Sequence, residues 1–92
     1  MFYLLIYDVV EDYVDRRAPF REEHLQLARE FADERLLVLG GALADPVDQA
    51  VLVFEAASIE PVEAFIARDP YVRHGLVRAH RIRPWNVAID SR

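Results

Sequence analysis

The chain has 92 residues, of which 53% are hydrophobic, with no cysteine and a formal charge of −5. This length predicts one domain spanning 1–92 with a thin core, since a chain of this size hides only about 60% of the surface its unfolded form exposes. The missing thiols exclude disulfides, cysteine nucleophiles and cysteine-based metal sites, and the acidic balance argues against a phosphate-backbone partner, so no nucleic acid is expected.

Met1 to Tyr7 is apolar but has no basic leader and runs straight into Asp8, which does not read as a signal peptide. Nothing approaches the roughly 20 apolar residues of a membrane span, and a cytoplasmic protein with no membrane partner is predicted. Phe2 to Tyr7 is the first predicted strand, a continuous apolar and aromatic run expected to be buried on both faces. A polar stretch follows from Asp8 to Arg17, and then Pro19 can open a helix over Phe20 to Leu36, where apolar residues recur at helical spacing.

Leu36 to Leu43 is a second strand interrupted by Gly40 and Gly41, and Asp45, Pro46 and Asp48 supply turn chemistry before the third strand, Ala50 to Phe54. Ser58 can cap a second helix that carries Pro61 in its first turn and ends near Asp69, because Pro70 disfavours helical geometry in the residue before it. After Gly75, Leu76 to Ile89 mixes polar and apolar residues, and Pro84 confines this last strand to an edge or a bulge. The order strand, helix, strand, strand, helix, strand is the split βαβ pattern of an α+β, ferredoxin-like plait: a four-stranded antiparallel sheet with two helices on one face. Two helices cover one face only, so the apolar central strands predict that a second copy covers the other, in a homodimer.

At 100° per residue, Phe20, His24, Leu27, Ala28 and Phe31 form one stripe of the first helix, opposite Glu22, Gln26, Arg29, Glu30 and Asp33. An imidazole facing the sheet needs a hydrogen-bond partner, because an unsatisfied buried polar group costs about 1–3 kcal/mol. His24 is then either a core histidine answered by a backbone carbonyl or water, or one half of a functional pair. Asp69 is the candidate for the other half, although Asp before Pro is also a common turn starter. Gly40 and Gly41 are candidates for close backbone approach of a ligand, or form a bulge; Tyr7 and Tyr71 are candidates for a substrate-facing hydroxyl or ring, or belong to the core.

Arg73, Arg78, Arg81 and Arg83 fall within eleven residues in a chain without lysine, as a solvated strand face or as anchors for an anionic substrate. His74 and His80 are six apart with no matching carboxylates, so no metal is predicted. With only three glycines, two of them adjacent, there is no phosphate loop and no cofactor is expected.

Phe2-Tyr3-Leu4-Leu5-Ile6-Tyr7, the helix segment Arg21-Glu22-Glu23-His24-Leu25, Leu36-Leu37-Val38-Leu39-Gly40-Gly41, and Asp69-Pro70-Tyr71-Val72-Arg73-His74-Gly75-Leu76 together resemble the YCII family over nearly the whole chain. The resemblance implies a dimeric α+β barrel and a His-Asp dyad falling on His24 and Asp69. It also implies acid–base chemistry on small molecules, since a few members are associated with dehalogenation of hydroxylated rings. The alternative is a non-catalytic dimer that binds a small molecule or serves a larger enzyme as an accessory module.

Overall fold

In the computed structural model, which describes residues 1–92, the N-terminal apolar run becomes β1 (Phe2–Val9) and divides by parity. Tyr3, Leu5, Tyr7 and Val9 are buried, while Phe2, Leu4, Ile6 and Asp8 alternate with them and remain half-buried. Within one chain β1 is therefore closed on one face only, as the two-residue period of a strand requires when helices lie on a single side. The other elements are α1 (Tyr13–Arg16), a 3-10 turn (Ala18–Phe20), α2 (Arg21–Asp33), β2 (Leu37–Ala42), β3 (Gln49–Glu55), α3 (Glu60–Arg68), α4 (Pro70–Arg73) and β4 (Val77–Trp85).

All strand pairs are antiparallel, in the order β2-β3-β1-β4. The two continuous apolar strands are central and the mixed β4 is an edge, which is the ferredoxin-like arrangement expected from the sequence. The register sets Tyr3 opposite Phe54, Leu5 opposite Leu52 and Tyr7 opposite Ala50, so these six share one face. Leu27 and Phe31 of α2 and Val62, Phe65 and Ile66 of α3 complete the core on that side. The rings of Phe31, Phe54 and Phe65 meet with centroids 5.3–6.4 Å apart. Aromatic contacts of this kind add about 0.5–1.5 kcal/mol each beyond area burial, enough for the trio to clamp α2 and α3 onto β3.

Several boundaries differ from the sequence expectation. The polar stretch after β1 hides α1, anchored by Tyr13 at 3% exposure. The last strand stops at Trp85 instead of reaching Ile89, and the β2–β3 register shift falls between Leu37 and Leu39, ahead of the two glycines. Ser58 does not cap α3; the preceding residue is Ile59, and no side chain caps that end. Asp69 takes extended angles (φ −68°, ψ 118°) as the residue before Pro70, and the chain then makes a further helical turn, α4, that the sequence did not announce.

Two helix ends use the same device with different residues. After α2, Leu36 N–H bonds the Phe31 carbonyl and Arg35 N–H bonds that of Ala32; after α4, Leu76 N–H bonds Tyr71 and Gly75 N–H bonds Val72. These are Schellman ends, whose pivot residue is left-handed: Arg35 at φ 63° and Gly75 at φ 77°. A side chain is strained there, so α2 ends at Asp33 through an unfavourable pivot and α4 ends through a favourable one. Arg35→Gly should raise unfolding stability by about 0.5–1 kcal/mol and Gly75→Ala should lower it by about 1 kcal/mol or more, measured as opposite shifts of the urea midpoint.

Candidate active site

Asp69 is fully buried, and it occupies the junction between α3 and α4 because Pro70 excludes helical geometry there. Its Oδ1 accepts the backbone N–H of Tyr71 at 3.0 Å, which caps α4. Its Oδ2 accepts the Tyr7 hydroxyl at 2.9 Å. Oδ1 also meets Nδ1 of His24 at 2.8 Å. The turn-starting role of this aspartate and its pairing with a histidine are thus compatible, since one carboxylate has lone pairs for both.

His24 reaches Asp69 from the first turns of α2, where the apolar stripe faces the sheet, and its side chain is 14% exposed. Its ring lies flat on Tyr71, with centroids 3.9 Å apart and planes 9° apart, and meets Phe65 edge-on at 6.2 Å. A carboxylate accepts only, so Nδ1 carries a hydrogen, and in the neutral ring Nε2 keeps its lone pair. No buried side-chain nitrogen or oxygen lacks a partner, and Nε2 has none within the protein, so it opens to solvent.

His24 borders a cavity of about 130 Å³ between α2 and the β2–β3 side of the sheet. Its wall includes His24 together with the predicted Tyr7, Gly40 and Gly41, and an apolar part from Leu25, Ala28, Leu37 and Leu52. Gly40 keeps a tight approach: a Cβ there would lie 3.0 Å from Leu52 Cγ, and the leucine side chain would have to shift by a few tenths of an ångström. Of the two readings of Tyr7 and Tyr71, a substrate-facing group or part of the core, the structure places both in the core. Both are fully buried; the Tyr7 hydroxyl is committed to Asp69, and Tyr71 supports His24 from behind and is absent from the cavity wall.

Tyr13, Arg17 and Arg21 also line this cavity and were not singled out in the sequence. Arg21, His24 and Ala28 share one stripe of α2, whereas Arg17 lies between α1 and the 3-10 turn, where no helical spacing announces it. Of the C-terminal arginines none reaches this cavity; Arg78 borders a separate open trough of about 670 Å³ with Asp8, Glu11 and Asp48. The trough is wider, but it holds no histidine, whereas the smaller cavity has His24 in its wall. His74 stacks on Phe20, and His80 is exposed on β4.

Burial pushes the Tyr7 phenol well above its ordinary range, and the neighbouring Asp69 charge and hydrogen bond act in the same direction. Tyr7 therefore holds its proton in the folded state when the unfolded chain has begun to lose it near pH 10. The stabilisation from this phenol is complete below about pH 10 and declines as pH rises above it, by up to about 1.4 kcal/mol per pH unit. Urea midpoints collected from neutral to strongly alkaline pH should fall on the alkaline side, and Tyr7→Phe should flatten that fall while lowering stability at neutral pH by about 1–3 kcal/mol.

Comparison with known proteins agrees with this arrangement at the level of fold. The chain superimposes with a TM-score of 0.77 on a 5-chloro-2-hydroxyhydroquinone dehydrochlorinase from Burkholderia phenoliruptrix, solved with 2,5-dihydroxybenzoquinone, at 20% identity and 94% coverage of both chains. It also resembles a protein of Agrobacterium tumefaciens (TM-score 0.55, 16% identity, 90% and 89% coverage) and an antibiotic biosynthesis monooxygenase (TM-score 0.55, 14% identity, 97% and 100% coverage). No curated protein sequence matches the chain. The model of the YCII-related domain matches residues 1–86, nearly the full length, and the chain belongs to the YCII family.

Proposed function

We propose that this protein is a small-molecule acid–base enzyme in which His24 carries the proton and Asp69 orients and stabilises its ring. The observation that carries this reading is the 2.8 Å contact from His24 Nδ1 to a buried carboxylate, with the other ring nitrogen unpartnered at a cavity. Imidazole changes charge near neutral pH, so it can take a proton and return it within one cycle. When Nε2 accepts a proton, the positive charge develops beside Asp69, which already accepts from Tyr7, from the Tyr71 backbone and from Nδ1 itself. Stacking on Tyr71 keeps the ring from turning, so it holds its place in the cavity wall.

A group that removes a proton at one atom and delivers it elsewhere suits enolisation, isomerisation, or loss of a small leaving group from a ring. The cavity supports a ring-sized substrate: about 130 Å³ is on the order of the ~150 Å³ apolar cavity known to admit benzene. The dehydrochlorinase neighbour, which acts on a hydroxylated chlorinated ring, favours halide loss among these reactions. The working form is a homodimer that buries the open sheet face, where Phe2, Leu4, Ile6 and Val51 are only half covered and Leu39 and Trp85 are exposed.

A binding module would use the same cavity, and the two readings part on whether His24 must exchange protons. In a screen of chlorinated hydroxyhydroquinones and related rings, followed by halide release and ultraviolet absorbance, the wild type should turn over at least one compound. His24→Gln, which keeps a hydrogen-bonding side chain, should reduce that turnover by about 10²–10⁴-fold while the fold survives. Sedimentation should return twice the 10.6 kDa chain mass for both proteins. Undiminished turnover in His24→Gln removes the histidine from the chemistry, and ligand binding without turnover of any compound favours the module.

A further inference from the structure

The cavity beside His24 has the opposite charge from the chain that forms it. Sixteen acidic residues outnumber eleven arginines overall, yet the cavity wall contains Arg17 and Arg21 and no carboxylate. Elsewhere Arg16, Arg68, Arg73 and Arg92 each pair with an aspartate or glutamate. Arg29, Arg35, Arg78, Arg81 and Arg83 have no such pair, and neither do the two in the cavity wall, Arg17 and Arg21. They are held by phenols instead: the Arg17 guanidinium lies 5.1 Å over the Tyr13 ring, and Arg21 Nη1 points at the Tyr71 hydroxyl, 3.5 Å away.

Support from phenols has a different consequence from support by carboxylates. Burial raises both Tyr13 and Tyr71 above the ordinary phenol range, despite the opposing pull of Arg17 on the first and Arg21 on the second. The phenols remain neutral, so the two positive charges are positioned without being cancelled. A guanidinium offers five N–H donors in a planar fork, and most of those on Arg17 and Arg21 remain free to bind a ligand. Arg17 is half-buried, which limits the water that would otherwise screen it.

We propose that this cavity binds a ring compound carrying an ionised oxygen substituent, gripped by Arg17 and Arg21, with the ring against Leu25, Ala28 and Leu52 and the reacting atom at His24 Nε2. The anion subsite stands on the arginines alone; the placement of the reacting atom rests on the acid–base reading. Carboxylates and phenolates share the chemistry that the forks recognise, because both present oxygen lone pairs with full or delocalised negative charge. The same guanidiniums lie where charge accumulates if proton removal generates an enolate on the ring, which assigns them a share in stabilising that intermediate.

The full-length chain titrated by NMR with benzoate and with 2,5-dihydroxybenzoquinone, against neutral benzamide and hydroquinone, tests the assignment. Both anions should bind at the cavity at least about tenfold more tightly than the neutral rings, as expected for charge-assisted hydrogen bonds, and less tightly as sodium chloride is added. A preference for one anion over the other separates carboxylate from phenolate recognition. Joint replacement Arg17→Gln and Arg21→Gln should remove about tenfold or more of the anion affinity and leave neutral rings within about twofold, whereas Arg78→Gln, outside the cavity, should change neither.

If the double variant fails to fold by circular dichroism, the wild-type contrast between anion and neutral ring, with its salt dependence, decides the question. Equal affinity for benzoate and benzamide, binding of neither, or anion affinity untouched in a folded double variant overturns the proposal. His24→Gln separates this outcome from the fate of the proton-transfer reading. Anion preference retained alongside turnover that ignores His24 sinks the acid–base role and leaves the subsite standing; His24-dependent turnover without anion preference does the reverse.

Discussion

A carboxylate withdrawn from water must have its lone pairs answered by donors, or the fold bears several kcal/mol of lost solvation. In this chain the donors to Asp69 come from three separate elements: the Tyr7 hydroxyl on β1, the Tyr71 backbone on α4 and His24 on α2. The pairing therefore links the central strand to both sides of the helical layer and sets how far α2 stands from the end of α3. It also fixes the imidazole at both ends of its possible motion, since the carboxylate holds Nδ1 and the Tyr71 ring holds the plane. One buried charge organises the packing and aims the lone pair.

This dependence explains why the site is assembled at a helix junction. Pro70 forces Asp69 out of helical geometry, the carboxylate turns back to cap α4, and the left-handed Gly75 then returns the chain into β4 beneath it. The short α4 delivers the two contributions of Tyr71 together, an N–H to the aspartate and a ring to the histidine. Across the cavity, Gly40 lets β2 lie close over Leu52, so the space beside Nε2 is ring-sized and mostly apolar, with the two arginines as its only charged wall residues.

Much of this was legible in the chain. Continuous apolar runs marked the central strands, Pro84 marked an edge, and His24 on an apolar helical stripe required a partner that the Asp69-Pro70 pair could supply. The remainder was hidden by interactions that no local pattern encodes. Tyr13 looks like part of a polar loop because its partner, Tyr71, lies 58 positions away; the ring centroids are 5.6 Å apart. Tyr7 stayed open between a ligand-facing group and a core residue because the claim of Asp69 on its hydroxyl exists only in three dimensions. Arg17 and Arg21 resembled ordinary surface charges until the fold turned them toward the cavity, and Arg35 offered no sign that α2 would end on a strained pivot where glycine is usual.

The hydrogen position on His24 tests the account at its centre. Nitrogen-15 correlation spectra of the three imidazoles at about pH 8.5, above the ordinary imidazole range, distinguish a ring protonated at Nδ1 from the commoner one protonated at Nε2. The account predicts the Nδ1-protonated form for His24 in the wild type, and its loss in a folded Asp69→Ala variant, which leaves no acceptor at Nδ1, with His74 and His80 unchanged. A His24 protonated at Nε2, or a tautomer that ignores the loss of the carboxylate, would contradict it.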